Sequence, residues 1–165
     1  MRLRLLPAAA IVVLLASASL GAAPSLSSLQ FLIGDWQAID ATGGATGGFS
    51  FALGVQNHVI TRTNYSNSPA TSTQPASRHD DVMIVYVDGD AIKADYVDSE
   101  GHAIHYTAEV SADHVSFVSA ARPGEPRYRL SYAKNGDGTL AGQFELAPPG
   151  QTAFTTYLEW KAVKK

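Results

Sequence analysis

Asp98 and His102 bracket Ser99-Glu100-Gly101. If those three residues form a hairpin loop with Gly101 in the left-handed conformation, the carboxylate and the imidazole face each other across two strands. The next pairs on that face are then Tyr96–Ile104 and Ala94–Tyr106. A carboxylate beside an imidazole raises its basicity and fixes its tautomer, which a general base or a metal ligand requires. The same pair also suits a solvated rim contact that helps the turn. His102 and His105 stand three residues apart, a spacing that sends them to opposite faces of a strand, so they do not chelate one ion together. His79-Asp80-Asp81 could supply an acid, a base or two metal-binding oxygens, or could simply solubilise the start of a strand. His79, Asp98 and His102 are thus the catalytic candidates, with either histidine as base and Asp98 as its orienting acid in a small hydrolase or isomerase. No nucleophile motif, phosphate loop or strong metal signature accompanies them.

A second group suits binding rather than catalysis. Arg62 lies on the same face as Ile60 in an otherwise apolar and hydroxyl-rich strand, and an inward arginine needs an anionic partner, from protein or ligand. The opposite reading turns Arg62 outward and lets Val59 and Thr61 line the core. Tyr86, Tyr96, Tyr106, Tyr128 and Tyr132 project into or near the same interior. Rings with one polar end suit a cavity for amphipathic molecules, and they also serve as core filler whose hydroxyls find local partners. The ligand-binding candidates are Arg62, Tyr96, Tyr106, Tyr128 and Tyr132.

Strands must position these residues. Ser25 or Ser28 can cap a short helix presenting Leu26, Leu29 and Phe31–Leu32, with Gly34 ending it. After Trp36 no helical periodicity recurs. Phe49, Phe51 and Leu53 alternate with smaller residues, and 55–65 is rich in β-branched side chains. Residues 66–80 hold two prolines and no apolar period, and read as one long loop, either a binding lid or a surface excursion. Strands then recur about every ten residues: 81–87, 91–97, 102–110, 114–120, 127–134, 139–146 and 152–162. In strand 81–87 both faces are apolar, and a two-residue turn at Asp88-Gly89 would direct Met83 and Val85, rather than Ile84 and Tyr86, inward. A three-residue loop at Asn135-Gly136-Asp137 would pair Tyr132 with Leu140 and Tyr128 with Phe144. In the last strand Phe154, Thr156, Leu158 and Trp160 form the inward set. Ten antiparallel strands leave two exposed edges unless they close. The fold class is therefore all-β, an antiparallel up-and-down β-barrel of about ten strands with a short N-terminal helix.

The chain of 165 residues is one domain's worth, and 45% hydrophobic with 16% charged residues is an ordinary globular composition. Arg2 and Arg4, the apolar stretch Leu5 to Leu15 and small residues up to Gly21 read as a secretory signal over 1–21, leaving a barrel domain at 25–165. The net charge of −3 becomes −5 once Arg2 and Arg4 are removed, which lacks the basic footprint of a nucleic-acid binder. There is no cysteine, hence no disulfide and no lipid-attachment site. The expected location is periplasmic or secreted, without stable membrane insertion after the signal is cleaved.

Phe31-Leu32-Ile33-Gly34-Asp35-Trp36, a short helix running into Gly-x-Trp at the first strand, resembles the signature of lipocalins and their calycin relatives. It is similar above all to nitrobindin-like barrels and related exported bacterial domains, which have ten strands. The resemblance implies structural roles for Gly34 and Trp36, the ring closing one end of the barrel against a basic side chain, here Lys161 or Lys164. It also implies a cavity for a small apolar or amphipathic ligand. Haem-binding members use a histidine near the C-terminal end, whereas this chain has none after His114. Haem or metal binding is thus the alternative to a cofactor-free barrel.

Overall fold

The computed structural model describes residues 23–165, so the export signal read at 1–21 lies outside the described residues. Leu26–Leu32 forms a 3-10 helix, its first turn capped by the Ser25 side chain accepting from Ser27 N–H. Ten strands follow: β1 Gly34–Ala41, β2 Thr46–Gly54, β3 Val59–Ser68, β4 Ser77–Asp88, β5 Ala91–Asp98, β6 Ala103–Ser111, β7 His114–Ser119, β8 Arg127–Lys134, β9 Leu140–Ala147 and β10 Thr155–Lys164. Each pairs antiparallel with its sequence neighbours, and β1 pairs with β10, closing the sheet into a barrel. No edge is left to recruit another chain. No helix among the described residues is long and apolar enough to cross a membrane.

One end is sealed. Leu26, Leu29 and Leu32 are buried, and Trp36 lies beneath them with its indole N–H donating to Leu32 O at 2.8 Å. Lys164 Nζ stands 5.6 Å from the centre of the Trp36 ring and donates to Ile33 O at 2.9 Å. Lys161, the other candidate, bonds Asp137 instead, at 3.0 Å. Gly34 has φ +132°, and a Cβ there would come within 2.5 Å of Lys164 Cε, so both the backbone and the cation over the ring require glycine. Phe49, Phe51 and Tyr132 continue the packing upward from Trp36.

Three expectations are corrected. Residues 66–80 are not one long loop: β3 and β4 pair out to Ser68↔Ser77, so only 69–76 connect them. The outer rungs of this hairpin, such as Asn67↔Arg78 and Ser66↔His79, are half-buried or exposed on both faces, so they carry no apolar period to read. The β8–β9 register differs by two residues from the three-residue-loop expectation, giving Tyr132↔Gly142 and Tyr128↔Leu146. The cause is a five-residue loop in which Asp137 accepts from Thr139 N–H and Oγ1. An even shift preserves every residue's face. In β10 a bulge between Thr156 and Leu158 breaks the alternation: Thr156 opposes Glu145, while Leu158 and Trp160 oppose Phe144 and Gly142. Phe154 therefore does not line the interior. It lies against the guanidinium groups of Arg127 and Arg129, at 5.3 and 4.4 Å from its ring centre.

Gly142 is where the Trp160 ring rests: a Cβ at that position would lie 2.2 Å from Trp160 Cε2. Gly142→Ala is expected to displace the ring and to destabilise the barrel by about 1–3 kcal/mol, the usual range for overpacking. Urea unfolding followed by tryptophan fluorescence checks it, and an unchanged midpoint with an unchanged spectrum would contradict the packing.

Candidate functional site

At the other end of the barrel the inward side chains are less deeply buried. Cross-strand partners share a face, so the register builds inward-facing rows. Phe51↔Arg62↔Met83↔Tyr96↔Ile104 runs round one side, and Asn64↔Asp81↔Asp98 forms the next row toward the mouth. Met83 and Val85 do point inward and are fully buried, while Ile84 is 44% exposed; the two-residue turn is Gly89-Asp90 rather than Asp88-Gly89, a register shift of two that leaves each face unchanged. Toward the sealed end the inward side chains are buried, but toward the mouth His79, Tyr96, Ile104, Tyr128, Phe144 and Leu146 are only half-buried and Leu158 is exposed. The result is a cup over a packed floor, with a polar wall from β4–β5 and an apolar wall from β6 and β8–β10.

At the floor, Arg62 points inward, 3% exposed, and is paired with Asp81 Oδ1. Asp81 Oδ2 accepts from Asn64 Nδ2 at 2.8 Å and lies 3.3 Å from His79 Nε2. The arginine thus finds its anion within the protein. The same His79 nitrogen is 3.2 Å from Tyr96 Oη, and its Nδ1 is 3.0 Å from Glu100 Oε1. Burial by itself would lower the His79 pKa, but the Glu100 hydrogen bond and the charges of Asp81, Glu100 and Asp98 outweigh it and hold the imidazole above its ordinary value.

Gly101, at φ +90°, forms the hairpin loop, and Asp98 N–H donates to His102 O. Asp98 and His102 therefore meet as their spacing predicts, with His102 Nδ1 2.9 Å from Asp98 Oδ2. Asp98 Oδ1 also accepts the backbone N–H groups of Glu100 and His102, and Tyr96 Oη donates to Oδ2 at 3.3 Å. Burial pushes the Asp98 carboxyl up, yet these hydrogen bonds from His102 and Glu100 prevail and hold it below the usual carboxylate range. His105, on the opposite face, pairs with Asp95 at 2.6 Å, apart from His102 as the strand period requires.

His79, Asp98, His102, Tyr96 and, through Asp81, Arg62 are thereby joined in one network. Tyr106 and Tyr132 are not part of it: both are buried among aromatic rings, with hydroxyls that have no hydrogen-bond partner among the described residues. Burial pushes the Tyr132 hydroxyl up to about 12 and raises Tyr96 and Tyr106 as well, so all three are neutral donors near pH 7. Tyr128 stands across the cup, stacked on Phe144 with ring centres 5.8 Å apart. Asp81 and Glu100 are the members that residue-by-residue reading undervalued. Asp81 shares the parity of Met83 and Val85, a signal already present in strand 81–87, whereas His79 fell in the stretch read as a loop.

Two open clefts of about 390 and 440 Å³ lie elsewhere, one bounded by Thr42, His114 and Trp160, the other by Trp36, Tyr65 and Arg78. Neither includes His79, Asp98 or His102. No protein-family model matches this sequence, and no curated protein matches it either.

Proposed function

We propose that this protein is an exported calycin-like barrel, of the nitrobindin-like kind, that holds a small apolar or amphipathic molecule in its cup, in the periplasm or outside the cell. The observation that carries this reading is the gradient of burial along the inward face. Side chains that are sealed around Trp36 give way to half-buried Ile104, Tyr128, Phe144 and Leu146, an apolar surface left partly open to solvent. Opposite them Tyr96 and His79 offer polar contacts that would orient a ligand. Arg62, already neutralised by Asp81, shapes the floor rather than anchoring an anion.

The test uses mature protein purified without denaturation from its own host. Native mass spectrometry is expected to show a bound small molecule, and delipidated protein is expected to take up the uncharged probe N-phenyl-1-naphthylamine saturably. Tyr128→Ala should weaken probe binding about tenfold, consistent with about 1.4 kcal/mol for a lost aromatic contact. Absence of saturable uptake, or a Tyr128→Ala affinity equal to wild type, would overturn the reading.

A hydrolase or isomerase remains the second reading, favoured by one contact: Asp98 orients His102 through Nδ1, leaving Nε2 toward solvent as a general base requires. His102→Ala would then abolish turnover of any substrate found while leaving probe uptake intact.

A further inference from the structure

The polar wall of the cup holds more negative charge than the protein's permanent cations balance. Asp81 and Asp98 have side chains only 3% and 4% exposed, and Glu100 stands above them. Arg62 pairs with Asp81, but Asp98 has no lysine or arginine partner among the described residues; its one cation-capable partner is His102. A carboxylate buried to that degree requires a cation or a full set of hydrogen bonds; Asp98 has the latter, and one of its donors, His102 Nδ1, also faces Glu100. His79, Asp98 and Glu100 each bring one ligand atom to within 4.8 Å of the others. His102 Nδ1 lies 2.9 Å from Asp98 Oδ2 and 3.8 Å from Glu100 Oε2, so a second imidazole stands beside two of the three.

We propose that this wall is a binding site for one divalent transition-metal ion, with His79, Asp98 and Glu100 as its protein ligands and His102 holding Asp98 from behind through its Nδ1. Mixed imidazole and carboxylate donors suit Zn²⁺ and its neighbours rather than Ca²⁺ or Mg²⁺, which favour all-oxygen sets. The spacing agrees. Ligand atoms about 2.0–2.2 Å from a metal lie at most about 4.4 Å from one another, so only a small inward movement is required, and exposed Glu100 on its loop can make it. Strands β4 and β5 and the Gly101 loop fix the remaining donors. The ion would sit at the rim of the cup, facing whatever the apolar wall holds. The site stands or falls without the ligand proposed above, because it is read with metal alone.

The experiment is calorimetric titration of Zn²⁺ into chelator-treated mature protein, with Ca²⁺ as comparison, followed by two-dimensional NMR of the histidine rings. One equivalent of Zn²⁺ is expected to bind with proton release, because the His79 imidazole must give up its proton. The ring signals of His79 and His102 are expected to shift and those of His105 to stay. His79→Ala and Glu100→Gln, both at partly or fully exposed positions, are expected to weaken binding by about 10–100-fold while unfolding as wild type, and His105→Ala to change nothing. No saturable Zn²⁺ binding overturns the proposal. So do undiminished affinity in both His79→Ala and Glu100→Gln, and binding that shifts only His105 or depends on it. Should either variant fail to fold, the NMR assignment on wild-type protein decides by itself.

Discussion

Asp81→Ala is expected to destabilise the barrel by about 3–5 kcal/mol, because it strands the Arg62 guanidinium in the interior without its anion. That is a large share of the roughly 5–15 kcal/mol available to a domain of this kind. Asn64 and His79 lose their acceptor in the same step, and Arg62 Nε already lacks a partner among the described residues, so the guanidinium is left without a carboxylate. The instructive comparison is the double variant Arg62→Met/Asp81→Leu. Removing both charges removes the desolvation cost with them, and stability is expected to return to within about 1–2 kcal/mol of wild type or to exceed it. Urea unfolding of the three proteins measures both effects. If Asp81→Ala unfolds at the wild-type midpoint, the pair is not buried as described; if the double variant is as weak as the single, the loss comes from packing rather than from an unpaired charge.

Trp36→Ala is expected to cost about 3–5 kcal/mol, the range for removing a large buried aromatic side chain. Three contacts vanish together: the indole N–H bond to Leu32 O, the stack on Phe49 at 6.4 Å and the surface beneath Lys164 Nζ. The 3-10 plug is held partly by that indole, so its leucines should become accessible as well. Hydrogen exchange then separates local from global loss. Amides of 26–32 are expected to exchange faster than those of β3 and β4 in the variant, whereas uniform acceleration would place the Trp36 contribution in the whole barrel instead. Phe at this position keeps the ring but not the N–H, and should lie between the two.

Much of the barrel is legible residue by residue. The alternation of Phe49 and Phe51, the turn chemistry after Asp88 and the loop Ser99-Glu100-Gly101 each imply a strand pairing by local geometry alone. The Asp98–His102 contact follows from one of them. The parity of Met83 and Val85 follows from another, because a two-residue turn leaves only one face for each side chain. Where local signals were weak, the reading missed. Ser66 and His79 pair in a polar extension with solvent on both faces, so burial imposes no pattern on the sequence there. The β10 bulge is similarly silent, since one extra residue changes nothing in composition yet exchanges the two faces of everything before it.

Strand periodicity and turns, and hence an all-β meander with Gly34 and Trp36 at its start, follow from the order of residues alone. These are consequences of backbone sterics and of alternation over a few residues. That Arg62 meets Asp81, that Lys164 rather than Lys161 covers Trp36, and that His79 reaches Glu100 came from the folded chain. The first and last join positions 19 and 21 residues apart across the β3–β4 and β4–β5 hairpins, whose register depends on a pairing out to Ser68↔Ser77 that the polar sequence there does not signal, while the lysine reaches Trp36 only through closure of β1 on β10.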